Sequence, residues 1–290
     1  MRNTFIKQLV KSAKEYNNIF LIIGDIGFNV VEEFADTFPD RFLNAGVAEQ
    51  NMTGLAAGLA SEGFHVFTYS IANFPTFRCA EQIRNDIDYH NLPVTIVAVG
   101  SGVSYGNAGY SHHAVQDLGL MRMMPNTLIA APGDPLEVEA VVDYLIQNPQ
   151  PSYLRLGKSG EVNFNSKTPD VKPGKWNHIV KQPNSENAIL TTGAALQWFL
   201  KKQDKFLDRN IFTMPLWGLQ HKDIQDEYVR NWNSIITVED HYKDCGFGSW
   251  FRESISFTNS NTEILNYTLP VSCMDIVGSS EDIMNYMQLS

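Results

Sequence analysis

The chain has 290 residues, of which 43% are hydrophobic and 19% are charged, and its formal net charge is −10. This length is sufficient for two domains with separate cores. The negative charge argues against nucleic acid or an anionic membrane surface as the main partner.

Three cysteines, Cys79, Cys245 and Cys273, are scattered along the chain without metal-ligand spacing. They are expected to be free thiols in a reducing compartment. No signal peptide is expected, because residues 1–7 lead directly into an amphipathic pattern. No apolar run reaches the roughly 20 residues of a membrane span. These features predict a cytoplasmic protein.

The first half of the chain alternates strand and helix patterns. Residues 3–17 carry apolar side chains at helical spacing, and residues 19–23 form the continuous apolar run of a buried strand. The further predicted strands lie at 65–71, 94–99, 127–131 and 152–156. The further predicted helices are a short one at 30–38, one that begins at Glu49, one at about 75–89, a short one at 118–123 and one opened by Asp134 and Pro135. Such alternation predicts a parallel sheet covered on both faces.

The composition changes after residue 156. Residues 157–187 are polar and lack a long periodic run, which predicts a connection between domains. A smaller pattern follows, with strands at 188–192, 211–214, 235–239 and a last strand at 264–267, and with helices at 194–202, from 246 and at 279–287. We therefore predict an α/β protein with two doubly wound sheets. Its domains are a larger one with a parallel sheet at residues 1–160, a linker at 161–186, and a smaller one at 187–290.

Glu49 lies in the first turn of a predicted helix whose side chains are unusually small. The helix dipole favours a carboxylate at this place, so an ordinary first-turn glutamate is one explanation. The same helix contains Gly54 and Gly58, each of which costs about 1 kcal/mol relative to alanine. Close approach by another element, a second chain included, would compensate for this cost.

Further candidate residues follow the predicted strands. Phe74 and Phe77 are three residues apart, and they either pack in the core or form an aromatic floor for a flat heterocycle. The glycine-rich loop at residues 100–116 follows a strand, where parallel sheets build ligand crevices. In this loop His112 and His113 are adjacent and point apart, which favours hydrogen bonding to a polar substrate or proton transfer over metal binding.

Two cations, Arg155 and Lys158, accompany the strand at 152–156. An anion could bind at this place, and the alternative is that both cations are simply solvated. The glycines of the 100–116 loop give only weak support for a phosphate cradle, because no helix with a Lys-Ser/Thr opening follows them.

Several short motifs occur together and in one order. They are residues 46–50 (Gly-Val-Ala-Glu-Gln), 81–84 (Glu-Gln-Ile-Arg), 106–118, 124–126 (Met-Pro-Asn), 131–134 (Ala-Pro-Gly-Asp), 238–241 (Val-Glu-Asp-His) and 246–249 (Gly-Phe-Gly-Ser). The set resembles the C-terminal half of transketolases and of the related deoxyxylulose-phosphate synthases, over nearly the whole chain. The resemblance implies a pyrimidine-binding domain for thiamine diphosphate, followed by a C-terminal domain with little direct chemistry.

The resemblance also implies a partner. The family's diphosphate-binding domain, with its Gly-Asp-Gly and Asn signature for Mg²⁺, does not occur in this sequence. The chain is therefore expected to be one half of a split transketolase that has no metal ligands of its own. The cofactor would be bound between it and a second subunit that holds the Mg²⁺, in a heterotetramer with two of each chain. The implied reaction transfers a two-carbon ketol or acyl unit between sugar-type substrates.

The resemblance places the cofactor contacts on four residues. Glu49 matches the glutamate that hydrogen-bonds N1′ of the cofactor pyrimidine and so activates the cofactor. Phe74 and Phe77 match aromatic residues around the pyrimidine, and Ile71 stands where a third one often lies.

The substrate contacts are assigned to a second group of residues. His112 matches a histidine that contacts the sugar, and it is a catalytic candidate together with Glu49. His113, beside it, is a further substrate candidate. Lys158 matches a phosphate-binding arginine, and Arg2 is a second candidate for that phosphate.

Departures from the family pattern lie at the substrate positions. Asn107 and Ala108 replace an acidic pair, Gly100 replaces a histidine at the strand end, and Lys158 offers a point charge in place of a bidentate fork. These departures predict a non-standard donor or acceptor, such as a modified sugar. One alternative is the β subunit of a 2-oxo-acid dehydrogenase, which shares the cofactor domain and is disfavoured by the transketolase-like loop around His112. The other is a non-catalytic partner subunit.

Overall fold

The computed structural model describes residues 1–201, 206, 208–256 and 262–290. Helices flank two sheets. The strands, numbered in chain order, are β1 (Ile19–Ile23), β2 (Phe42–Asn44), β3 (His65–Ile71), β4 (Val94–Val99), β5 (Leu128–Ala130), β6 (Ser152–Leu156), β7 (Asn177–Val180), β8 (Asn187–Thr191), β9 (Asn210–Thr213), β10 (Leu216–Trp217), β11 (Ser234–Tyr242), β12 (Glu263–Leu269) and β13 (Gln288–Leu289). The α-helices are α1 (Arg2–Ala13), α2 (Glu32–Thr37), α3 (Glu49–Ser61), α4 (Ala80–Gln82), α5 (Asp117–Met121), α6 (Pro135–Gln147), α7 (Ala195–Lys201), α8 (Gln225–Val229), α9 (Phe247–Glu253) and α10 (Ser280–Met284).

The first sheet has the strand order β10-β5-β6-β4-β3-β1-β2. Its strands pair in parallel, except that β10 is antiparallel to β5. Every residue of β4 and β6 is buried, as expected for central strands of a sheet that helices cover on both faces. The α/β alternation of the sequence therefore forms the predicted doubly wound parallel sheet.

The second sheet has the order β13-β12-β11-β8-β9-β7. Its four central strands are parallel, and β7 and β13 join the two edges in antiparallel orientation. The predicted class, an α/β protein with two mostly parallel sheets, is confirmed.

Several elements differ from the sequence prediction. The segment expected to be a linker contains β7, and β10, from the second half of the chain, joins the first sheet. A two-residue strand, β13, follows the strand predicted to be the last. The helix predicted at about 75–89 is instead a succession of a 3₁₀ turn, one turn of α-helix and a π-helix at Ile83–Asp88. The end predicted for the helix at 194–202 lies at Lys202, outside the described residues.

Aromatic side chains pack the second half of the chain onto the first sheet. Trp217, on β10, is fully buried, and its ring lies 5.2 Å from Phe247 and 5.1 Å from Trp250. The Trp250 indole donates a hydrogen bond to the carbonyl of Gly218 at 3.0 Å. Because this cluster belongs to a continuous core, the two sheets form one packed unit.

His65 provides a test of the buried core by pH. It begins β3, is 2% exposed, and burial lowers its pKa to about 4. In the unfolded chain its pKa is near 6.5, so between pH 6.5 and 4 only the unfolded state takes up the proton. We expect the folded state to lose stability as pH falls through this window, by about 3 kcal/mol at its acid end.

The measurement is urea unfolding at several pH values between 4 and 7.5. His65→Gln should reduce the slope of unfolding free energy against pH, whereas His90→Gln, at an exposed histidine, should leave it unchanged. Equal slopes for the wild type and His65→Gln would show that His65 is not the group responsible.

Across residues 1–201, 206, 208–256 and 262–290, no helix combines the length and apolarity needed to cross a membrane.

Candidate active site

The candidate residues lie at the carboxyl ends of the parallel strands of the first sheet. Glu49 follows β2, Phe74 follows β3, the 100–116 loop follows β4, and Lys158 follows β6. Ligand crevices of open α/β sheets form at this edge. The topology therefore brings residues that are distant in sequence to one side of the molecule.

Glu49 is the first residue of α3 and is 1% exposed. Arg78, whose side chain is 47% exposed, donates a hydrogen bond from Nη1 to Glu49 Oε2 at 2.6 Å. The other oxygen, Oε1, is buried and has no hydrogen-bond partner among the described residues. A buried polar atom without a partner is costly, so this oxygen is a candidate contact for a ligand.

The aromatic residues predicted to contact the cofactor have different surroundings. Phe74 is half-buried, its ring centroid lies 5.3 Å from the His112 ring, and the Arg78 guanidinium lies 5.0 Å from the Phe74 centroid. Phe77 is 47% exposed, and Ile71, at the end of β3, is half-buried. The structure thus brings Phe74, His112 and Arg78 together.

The 100–116 loop is tied to the end of β3. Asn73 donates hydrogen bonds to the carbonyls of His113, at 2.6 Å, and Ser111, at 3.4 Å. His112 is half-buried, and its Nδ1 lies 2.9 Å from Ser111 Oγ. His113 is 1% exposed, and burial lowers the pKa of its imidazole. Of the two adjacent histidines, His112 is therefore the more accessible to a substrate.

The second half of the chain supports the same loop. A Cβ atom at Gly102 would lie 2.4 Å from Asp240 Oδ2, and one at Gly106 would lie 2.6 Å from the carbonyl oxygen of Gly278. Glycine is needed at both positions because the Asp240 side chain and the Gly278 backbone approach too closely for a Cβ atom. The loop shape thus depends on residues that follow in the second sheet and its helices.

Arg155 is not a solvated cation and does not form an anion site. It is fully buried on β6, where Nε donates to Asp117 Oδ2 at 2.7 Å, Nη1 donates to Asp240 and Nη2 donates to the carbonyl of Ala114 at 2.7 Å. Burial opposes the charge, but Asp117 and Asp240 together raise the pKa of Arg155 above its usual value. The expectation that Arg155 is free to bind an anion is wrong, because two carboxylates already neutralise it.

Lys158 is exposed, and its ammonium lies 5.1 Å from the Tyr105 ring centroid. It lines a cavity of about 390 Å³ between the two halves of the molecule, together with exposed Asn107. Arg2 lies at the start of α1. Burial raises the pKa of the Tyr69 phenol, and Arg2 and Tyr105 are close enough to influence that pKa as well.

Several contacts of this region were not predicted from the sequence. Arg78 forms the ion pair with Glu49, and Asp240 joins the buried pair at Arg155. Ser70 also lies near Glu49, since a Cβ atom at Gly24 would lie 3.5 Å from Ser70 Oγ and 3.6 Å from Glu49 Cγ. Local sequence offers no signal for these contacts, because each partner lies at least 20 residues away along the chain.

The described residues contain no group of three histidine, cysteine or carboxylate side chains that could hold a metal ion. The site as it stands combines a buried carboxylate, an aromatic ring, a histidine and a nearby lysine at a sheet edge. This arrangement is that of an α/β protein with a ligand crevice at the carboxyl ends of its strands.

Comparison with known proteins defines the family. Residues 1–160 match the family described as transketolase, pyrimidine binding domain. The whole chain is 31% identical to the "Putative transketolase C-terminal section" of Methanocaldococcus jannaschii and covers 92% of it. The chain therefore belongs to the transketolase family, as its motifs predicted.

Two further relatives come from divided transketolases. Over 88% of the chain and 83% of the relative, it is 27% identical to a subunit of the apulose-4-phosphate transketolase of Actinobacillus succinogenes. A solved structure described as "Split gene transketolase, inactive beta4 tetramer" superposes with a TM-score of 0.80 at 29% identity, covering 93% of this chain and 89% of that one. The chain thus corresponds to one section or subunit of these transketolases.

Proposed function

We propose that this chain is the pyrimidine-binding subunit of a two-subunit, thiamine-diphosphate-dependent transketolase. The observation that carries the proposal is the buried Glu49 carboxylate, which has one oxygen paired with Arg78 and the other without a partner among the described residues. A carboxylate of this kind is suited to a hydrogen bond with a ring nitrogen of the cofactor pyrimidine.

The residues present fit the pyrimidine part of thiamine diphosphate. Glu49 Oε1 would bind the ring nitrogen and hold its proton, and Phe74 would pack against the heterocycle. Phe77 and Ile71 are proposed as further contacts. Thiamine diphosphate supplies the electron sink for carbon–carbon bond cleavage. The Mg²⁺ and the diphosphate are assigned to the second subunit.

The proposed reaction moves a two-carbon ketol unit. The bond between C2 and C3 of a ketose donor breaks, an aldehyde leaves, and a new carbon–carbon bond forms to the carbonyl carbon of an aldehyde acceptor. His112, close to Phe74, would orient a substrate hydroxyl or carry a proton, with His113 behind it. Lys158 and Arg2 would meet an anionic end of the sugar.

The division into residues 1–160, a linker at 161–186 and residues 187–290 stays a prediction, as does the cytoplasmic location. We also propose a non-standard donor or acceptor, because the sequence departs from the family pattern at Asn107, Ala108, Gly100 and Lys158. An acyl unit in place of the ketol unit is part of the same hypothesis.

Helix α3 supports the proposal of a partner subunit. Cβ atoms at Gly54 and Gly58 would meet nothing within 4 Å in the described part of the chain. The element expected to approach these glycines closely is therefore not found among the described residues. Val47 and Leu55 nearby are 72% and 38% exposed. A relative whose β chains alone form a tetramer is described as inactive. We propose a heterotetramer with two of each chain.

A larger side chain on α3 tests this interface. Gly58→Leu fits the chain alone and should stabilise the helix by a few tenths of a kcal/mol or more, because glycine is the poorer helix former. The same substitution should prevent association with the partner. Lys7→Leu, which puts an equal side chain on the exposed face of α1, should associate normally. Size-exclusion chromatography of mixed subunits would show which occurs, and normal assembly by Gly58→Leu would argue against α3 as the interface.

Cofactor binding tests the proposed function itself. The partner is the chain with the diphosphate-binding domain that co-purifies with this one. Calorimetry should detect tight binding of thiamine diphosphate with Mg²⁺ to the mixture, and binding at least a hundredfold weaker to this chain alone. Tight binding and turnover by the isolated chain would overturn the split site.

A further inference from the structure

Tyr105 lies in the 100–116 loop, between two of the proposed substrate residues. Its ring centroid is 6.4 Å from that of His112, and the Lys158 ammonium lies 5.1 Å from the same ring. The tyrosine is half-buried, so one part of the ring is supported by the protein. It is therefore the side chain that connects the histidine with the lysine.

Gly100 explains why the ring can occupy this place. Its φ is +89°, and a Cβ atom there would lie 2.1 Å from Cε2 and 2.4 Å from Cδ2 of Tyr105. Carbon atoms that are not bonded stay about 3.5 Å apart or more. A side chain at position 100 and the ring of Tyr105 therefore cannot occupy this space together. In this chain position 100 is a glycine, and the Tyr105 ring fills the space.

Lys158 depends on this ring for a defined position. The lysine is exposed, and over the described ranges no carboxylate forms an ion pair with it; its contact is with Tyr105. A flexible ammonium over a tyrosine face is held by cation–π attraction, equivalent at an exposed site to a factor of about 2 to 5 in binding. The same ammonium lines the 390 Å³ cavity beside Ser101, Ser104 and Asn107, whose polar groups suit a polyhydroxylated chain.

We infer that Tyr105 is a positioning residue, whose ring holds the Lys158 ammonium where the anionic end of a sugar substrate binds. This inference rests on the proposed transketolase function. According to this inference, specificity for a substrate with a phosphate or carboxylate end does not depend on Lys158 alone. It also depends on Tyr105, and on Gly100, which leaves room for the Tyr105 ring.

The test uses the complex reconstituted with the partner subunit. Hydroxypyruvate is the donor: its carboxylate leaves as CO₂ when the adjoining carbon–carbon bond breaks, and the remaining two-carbon unit is transferred. The acceptors are glyceraldehyde 3-phosphate and glyceraldehyde, which differ only in the phosphate. The wild type should prefer the phosphorylated acceptor in kcat/KM.

Tyr105→Leu should reduce that preference by about 2- to 5-fold, mainly through KM, and Lys158→Met by at least as much. The double variant should be no worse than the stronger single one. Tyr105→Phe keeps the ring and should keep the preference. Gly100→Ala, which displaces the ring, should act like Tyr105→Leu. Tyr110→Leu, on the same loop, should leave the preference unchanged.

Each outcome decides one of the two proposals. If hydroxypyruvate is consumed but the wild type shows no preference, or Tyr105→Leu keeps it, the inference is wrong and the proposed function stands. If the assembled wild type does not consume hydroxypyruvate with any acceptor, the proposed function fails and the inference fails with it. CO₂ release by each variant shows that it has folded and bound the cofactor.

Discussion

Glu49→Gln should lower kcat of the reconstituted complex by about 10² to 10⁴, because the carboxylate is proposed to hold the proton that activates the cofactor pyrimidine. The amide has nearly the same shape and can still accept a hydrogen bond from Arg78, which now reaches Glu49 Oε2 at 2.6 Å. Folding and subunit assembly should therefore change little. Steady-state kinetics with hydroxypyruvate and an aldehyde acceptor measure the effect.

The matched control is Glu62→Gln, which removes a carboxylate at the exposed end of the same helix and should keep full activity. A Glu49→Gln complex that keeps turnover within twofold of the wild type would contradict the catalytic role. That result would favour the alternative of a non-catalytic partner subunit. Transfer to a lipoyl domain, in contrast, would favour the 2-oxo-acid dehydrogenase alternative.

The second large effect is expected in stability. Arg155→Met should destabilise the chain by about 3–5 kcal/mol, because it leaves Asp117 and Asp240 buried without their cation. It should also loosen the 100–116 loop, since the carbonyl of Ala114 keeps only the hydrogen bond from Gly102 N, at 3.1 Å. Urea unfolding followed by tryptophan fluorescence measures the loss.

Arg122→Met is the matched control, because Arg122 pairs with Glu253 where the glutamate is 44% exposed. Pairs of this kind contribute about 1 kcal/mol or less. Adding Asp240→Asn to Arg155→Met should recover part of the lost stability, since one unpaired charge is removed. If Arg155→Met costs no more than Arg122→Met, the buried pairs do not stabilise the fold as proposed.

The sequence predicted the central strands β3 and β4 of the first sheet because they are long and rich in β-branched and aromatic residues. Residues 65–71 and 94–99 coincide with β3 and β4, and the helix opened by Asp134 and Pro135 begins where expected, with the Asp134 carboxylate accepting from Glu137 N at 2.8 Å. Such elements are determined by local periodicity and capping, which a single stretch of sequence contains.

Short and irregular elements were less predictable. Two residues of β10 and four of β7 are too few to show a period, and their partners lie far along the chain. The helix predicted at about 75–89 follows a helical pattern, yet the structure changes from 3₁₀ to α to π geometry along it. Ile83 and Ile87 on this path are fully buried in the core, a tertiary context that can override helix propensity.

The sequence by itself determined the α/β class, the family and the candidate residues Glu49, Phe74 and His112, because these depend on local patterns and motif order. Only the tertiary structure decided that Arg155 is neutralised by Asp117 and by Asp240, 85 residues away. It also decided that Tyr105 fills the space above Gly100. Both are contacts between separate elements, and their energy depends on burial and distance, which local sequence does not contain.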